Sequence, residues 1–176
     1  LTLNKSEARK IGFPLSKELV EREIIIAGGT IQGSMKAFET GIAMNIAGGT
    51  HHAFKGHGEA FCLLNDQAIA AQYLLDKKLV DRILIVDLDV HPGNGTAEIF
   101  QSNPNVFTFS MHGQKNYPFH KEQSDLDIAL EDDCNDGDFL RILKKVLPGL
   151  IAKTRPDFIF YLCGVDVLKT DKLGRL

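Results

Sequence analysis

The chain has 176 residues, 44% of them apolar and 24% charged, with 20 basic against 23 acidic side chains and a formal net charge of −3. That composition suits one ordinary globular domain spanning residues 1–176, with enough chain to bury a core. It offers no electrostatic grip on nucleic acid or anionic lipid, no apolar run reaches the ~18 residues of a membrane helix, and no signal peptide opens it.

In chain order, Ser16 to Gly41 reads as one long helix, with small residues where it crosses a neighbour. The alternative is a strand, EIIIAGG, feeding a glycine-rich phosphate loop, but neither G-x-G-x-x-G nor Gly-Lys-Ser/Thr is present. Four apolar runs predict strands: Gly41 to Ile46, Arg82 to Leu88, Val106 to Met111 and Asp157 to Cys163. Near-continuous Ile, Val, Phe and Leu is the pattern of parallel strands covered on both faces. Asn65-Asp66 can cap a helix through AIAAQYLLDKKL, and Asp138 can start another through FLRILKKVLPGLIAKT, with Pro148 kinking or ending it. Residues 112–138 read as a long polar connection. Strands alternating with helices predict an α/β fold with a parallel sheet. Cys62, Cys134 and Cys163 form no C-x-x-C, which predicts reduced thiols in a cytoplasmic protein, with Cys62 and Cys163 in the core.

Polar residues cluster at the ends of these runs. His51 and His52 follow the first; Asp87, Asp89 and His91 end the second; Ser110 and His112 end the third; Asp166 follows the fourth. In an open parallel sheet the carboxyl ends share one rim, where ligands bind. Period two sends Asp87, Asp89 and His91 to one side, and carboxylates buried together call for a cation. Asp89, His91 and Asp166 would suit Zn²⁺ with one position left open, and Asp87 would hold a histidine by a hydrogen bond. His51 and His52 would then handle the proton of an attacking water, with Asp87 and Asn94 as partners for their far nitrogens. Taken singly, each feature has a plainer reading. A D-x-D is commonly a cap or salt-bridge site, tandem loop histidines are commonly solvated, and Phe61 and Tyr117 are commonly packing residues.

With NIAGGTHHAF, GEAFCLLND, ILIVDLDVHPGNGTAEIF, FTFSMHG and GVDVLKTDKLGRL, the chain resembles the zinc-dependent histone deacetylases from about residue 11 onward, especially class IV and similar bacterial proteins. The resemblance implies a three-layer arginase/deacetylase-like α/β sandwich with a mainly parallel central sheet, incomplete in this chain. It implies that Asp89, His91 and Asp166 bind zinc, with His52 as proton shuttle, His51 as electrostatic helper and Asp87 behind His51. The partner of His52 is Asn94 where many relatives have aspartate, as in class IV. Phe61 matches the channel aromatic, Ala60 stands near the backbone that meets the substrate amide, and Tyr117 matches the opposite wall. A structural K⁺ would be held around Asp87, Asp89 and His91 with Ser110 and Met111. The implied substrate is an acylated lysine-like amide, on a protein or small molecule.

The chain starts at Leu1 without methionine and ends at Leu176, before the family's oxyanion-binding tyrosine, so it reads as an excerpt. Losing an oxyanion donor costs about 10²–10³-fold in rate, so the 176-residue piece alone is expected to be inactive or nearly so. Two other readings stand beside the zinc hydrolase. An arginase-like two-metal hydrolase needs D-x-H-x-D, and Gly93 stands at its last position. A catalytically silent acyl-group binder would keep the fold without turnover.

Overall fold

The computed structural model describes residues 3–176, which divide into two compact units. One comprises the described residues up to Leu79 with Asn94–Ile99, the other Val80–Gly93 with Phe100–Leu176.

The first unit is helical. Helix α1 (Lys5–Ile11) starts on an Asn4–Glu7 capping box and ends at Gly12 in the left-handed region. Helix α2 (Lys17–Thr40) is capped by Ser16 and closed by Gly41. It buries Glu23, Ile26, Ala27, Thr30 and Ser34, spaced three or four apart as a helix stripe requires. The long-helix reading therefore holds over the strand and phosphate loop. Gly29 inside α2 serves packing: a Cβ on it would come within 3.2 Å of Asn45 Nδ2, which donates to Ile26 O and Thr30 Oγ1. Helix α3 (Asp66–Asp76) is capped by Asn65 and packs on α2. It ends at Asp76, so Leu79, the last residue of the helix read from the sequence, lies outside it.

The second unit holds a four-stranded sheet in the order β3-β2-β1-β4, parallel at every pairing. The strands are β1 (Ile83–Asp87), β2 (Val106–Gly113), β3 (Leu126–Leu130) and β4 (Phe158–Leu162). Helix α4 (Asn94–Phe100) lies in the sequence between β1 and β2, and α5 (Asp136–Thr154) between β3 and β4. Leu84, Val86, Leu88, Phe109, Met111, Leu130 and Leu150 form one apolar cluster, packed by Phe139, Ile142, Leu143, Val146 and Leu147 of α5. All five residues of β1 are buried, the double-faced pattern of a central parallel strand. The α/β class with a parallel sheet is thus the one that forms.

Several expectations are corrected. Gly41–Ile46 is no strand: Gly41 ends α2 at φ 81°, and Ile42, Met44 and Ile46 are 81%, 76% and 93% exposed. An apolar run without a strand to pair with cannot satisfy its backbone as sheet. The polar connection 112–138 contains the end of β2 and all of β3, whose Leu126 and Ile128 are half-buried while Asp127 and Ala129 face out. Asp125 clasps β3 to β2 by accepting from Thr108 N at 2.8 Å and Thr108 Oγ1 at 3.0 Å. Helix α5 starts earlier than Asp138, at an Asn135 cap, and continues through Pro148 to Thr154. Pro148 is on the exposed side, where water can serve the carbonyl that the missing N–H leaves behind. Cys62 is buried as expected, but Cys163 is exposed.

Phe109 is 1% exposed at the centre of the sheet cluster. Phe109→Ala is expected to lower stability by about 3–5 kcal/mol, read by urea unfolding with an unchanged slope. A loss below about 1 kcal/mol would contradict a close-packed core at that position.

Candidate metal centre and histidine turn

The parallel register puts the carboxyl ends of the strands at one level: Asp87 pairs with Ser110 on β2 and with Leu162 on β4. The chain leaving β1 then makes a short sequence of side-chain-capped turns. Asp87 Oδ1 accepts from Asp89 N at 3.0 Å, and Asp89 Oδ1 accepts from His91 N at 2.8 Å. The chain leaving β4 brings in Asp166 on the 3₁₀ turn Val165–Val167. Asp166 Oδ1 accepts from Val90 N at 3.2 Å, which ties the two strand ends together.

Asp89, His91 and Asp166 converge there, with one ligand atom from each lying within 4.8 Å of the others. His91 Nδ1 lies 3.1 Å from Asp89 Oδ1 and 2.9 Å from Asp166 Oδ2. All three side chains are mostly but not fully covered, at 14%, 14% and 21% exposure for His91, Asp89 and Asp166. Gly164 is required by this geometry. A Cβ on it would run into Asp89 Oδ2 and lie 2.7 Å from Asp166 Oδ1, so any side chain displaces two of the three groups. Two carboxylates and one imidazole, gathered at one rim and reachable from outside, fit a divalent ion of the zinc type.

The electrostatics agree. Burial disfavours charge on His91, but hydrogen bonds to Asp166 and Asp89 and the charges of both outweigh it, pushing the pKa up to about 9. Burial likewise disfavours charge on Asp166, yet bonds from His91 and from the Val90 N–H hold its carboxyl below the ordinary value. A positive charge is what these residues attract.

On the neighbouring strand, Ser110 Oγ and His112 Nδ1 are 2.9 Å apart, and both residues are buried, as is Met111. Burial pushes the His112 imidazole below its usual pKa, against the pull of Asp127 and Asp87. Tyr117 belongs to the same unit, half-open in the loop after β2.

His51 and His52 belong to the helical unit, together with Asn94. They arrive on a turn from the segment after α2, not from a strand end as the sequence suggested. Both are buried, with ring centroids 4.1 Å apart. The residue that shapes their turn is Asp66, read beforehand only as part of a helix cap. Asp66 Oδ1 accepts from Gly49 N at 3.0 Å, Thr50 N at 2.9 Å and Thr50 Oγ1 at 2.8 Å, while Oδ2 accepts from Thr30 Oγ1 at 2.6 Å. Asn65 caps α3 through its oxygen and spends its Nδ2 on Ala53 O, His51 O and Thr96 Oγ1. Thr96 N also donates to His51 O. A carboxylate with this many donors holds a backbone far more firmly than a cap does. The sequence signal was present, an Asn-Asp pair within reach of a Gly-Gly-Thr turn, but spacing alone does not connect them. Ala60 and Phe61 occupy a loop of the same unit, both at positive φ, and Phe61 is 55% exposed.

An α/β protein with a candidate divalent-metal centre at the carboxyl rim of a parallel sheet is therefore the class that fold and site define. Residues 2–176 match the histone deacetylase domain family, and the chain belongs to that family. It is 50% identical over 175 residues to an uncharacterized protein of Picosynechococcus sp., covering 99% of this chain and 58% of that one. Histone deacetylase B of Dictyostelium discoideum is 35% identical over 165 residues, covering 85% of this chain and 38% of its own length. The crystal structure of an HDAC homolog from Aquifex aeolicus superposes with a TM-score of 0.84 at 30% identity, covering 98% of this chain and 51% of that one. The chain thus spans roughly four- to six-tenths of the length of the curated relatives cited here.

The raised His91 pKa has a consequence for metal uptake. Below about 9 the ring carries a proton that an ion must displace, so zinc affinity should rise about tenfold per pH unit through neutrality and level off near that value. The same charge stabilises the metal-free protein fully below the ordinary histidine value, and that contribution fades as pH rises through about 9. Zinc titration calorimetry in buffers of different ionisation enthalpy should show proton release near neutrality. An affinity independent of pH there would contradict His91 as a candidate ligand.

Proposed function

We propose that the whole protein hydrolyses an acyl-lysine-type amide with one zinc ion, as a deacetylase. The convergence of Asp89, His91 and Asp166, in a chain of the histone deacetylase family, is the observation that carries this reading. The crystal structure of an HDAC homolog complexed with SAHA, 30% identical to this chain, supports an acyl-lysine-like ligand. Held by Asp89, His91 and Asp166, the ion would polarise the acyl carbonyl and lower the pKa of a water.

The rest is done by this chain's own groups. His52 takes the proton of the attacking water and returns it to the departing amine, a task suited to an imidazole near neutral pH. His51 steadies the charge that develops, with Asp87 behind it. Asn94 is an uncharged partner for His52 and raises its basicity less than a carboxylate would, which is a class IV-like feature. Ala60, Phe61 and Tyr117 form the substrate channel, with Phe61 against the aliphatic arm. A structural K⁺ uses Asp87, Asp89, His91, Ser110 and Met111, a reading supported by the Asp87–Ser110 pairing across β1 and β2. Zinc is the resident ion and the cytoplasm the setting; among the described residues no helix is long and apolar enough to cross a membrane. A two-metal, arginase-like alternative gains no support, because Asp89, His91 and Asp166 are the one such ligand group among the described residues.

In the full-length protein, His52→Ala should lower kcat about 10²–10⁴-fold on an acetyl-lysine peptide while leaving zinc content intact. Asp166→Ala should lose the zinc and the activity together. Wild-type turnover by either variant would sink the corresponding role.

A further inference from the structure

Phe61 sits in an uncomfortable place. Glu59 N donates to Cys62 O and Cys62 N to Glu59 O, both at 2.9 Å, so Ala60 and Phe61 are the two central residues of a tight turn. Their φ values are 45° and 66°. Two successive positive φ values are the signature of a type I′ turn, which favours Asn-Gly and penalises residues with a Cβ. Alanine and phenylalanine each pay for the left-handed conformation, and the turn persists only if its surroundings impose it.

The surroundings that do so come from the end of α1. Ala60 N donates to Lys10 O at 2.9 Å, and Phe61 N donates to Ile11 O at 2.7 Å. Ile11 itself is 1% exposed, so this residue anchors the contact in the core. Next in the chain, Gly12 takes φ 79°, and a Cβ on it would lie 2.9 Å from Phe61 Cε1 and 3.2 Å from Cδ1. Phe13 then lays its ring against that of Phe61, with centroids 5.1 Å apart and planes at 56°. Backbone, missing Cβ and neighbouring ring thus all act on one exposed aromatic.

We propose that the last turn of α1 and the two residues after it, Lys10–Phe13, set the position of the Phe61 ring and hence the grip on the aliphatic arm of an acylated-amine substrate. Gly12 and Phe13 are positioning residues, acting through Phe61 and not on the reacting atoms. The inference rests on Phe61 lining the substrate channel, as read above. It explains why a half-exposed phenylalanine is held in a strained turn: a ring that must keep one place against a flexible alkyl chain cannot be left to its own rotamers.

The test uses the full-length, zinc-loaded protein and an acetyl-lysine peptide. Gly12→Ala should raise KM about tenfold with kcat within about twofold, the split expected when binding common to ground and transition states is lost. Phe13→Ala should do the same about three- to fivefold, and Phe13→Tyr should restore the wild-type value, which a general loss of fold would not permit. The same variants are read independently by the ¹⁹F resonance of 4-fluorophenylalanine placed at position 61, which should shift in Gly12→Ala and Phe13→Ala and return in Phe13→Tyr. Unchanged KM and unchanged resonance in folded variants would overturn the proposal. Shifted resonances in Gly12→Ala and Phe13→Ala, when the wild-type protein hydrolyses no amide, would overturn the channel reading and with it the substrate grip, while keeping the control of the ring by α1.

Discussion

Two carboxylates share one imidazole nitrogen: Asp89 and Asp166 lie 3.1 Å and 2.9 Å from His91 Nδ1. Everything else in the sheet unit is arranged so that this contact can exist. Left to themselves, partly buried carboxylates repel and one of them takes up a proton. Here the backbone N–H groups of Val90 and His91 point at them, and the imidazole lies between them, which holds the Asp166 carboxyl below its ordinary value. The site is thus built around a positive charge, which a proton on His91 supplies in the metal-free protein and a divalent ion can supply in its place.

The apolar sheet provides the rigidity that this polarity needs. β1 is buried on both faces, and its five residues fix Asp87 at the last step of the ladder, one level with Ser110 and Leu162. The turns that follow are closed by the very carboxylates that form the cluster, so the scaffold and the site are the same residues. The helical unit solves a similar problem by other means. Its histidine turn carries two glycines and would be slack alone, but Asp66 and Asn65 gather its N–H, hydroxyl and carbonyl groups into one buried network. In that unit polar bonds hold the shape, and in the sheet unit apolar packing does.

The parts legible in the sequence were those whose signal is local. The strands Ile83–Asp87, Val106–Gly113 and Phe158–Leu162 announce themselves by runs of β-branched and aromatic residues, and the Asp87-Asp89-His91 spacing marks a strand end. What escaped depends on partners distant in the chain. β3 is an edge strand with only one apolar face, so its alternation LDIAL is weak in a polar stretch. The GIAMNI run looked like a strand because composition cannot tell an apolar segment with a pairing partner from one without. Asp66 was misjudged for the same reason: its cap position is visible in the sequence, whereas Thr30, Gly49 and Thr50 reach it only through the fold. The family resemblance named the remaining site residues, and the Asp89, His91 and Asp166 set is the part that the geometry gathers independently.

The most direct test of this account is the metal content of the purified full-length protein, measured per chain by elemental analysis beside Asp166→Ala. The account predicts about one zinc per chain, lost in the variant while the fold is kept, because Asp166 is one of the three proposed protein ligands. Two metals per chain, or a zinc that survives loss of Asp166, would contradict the site.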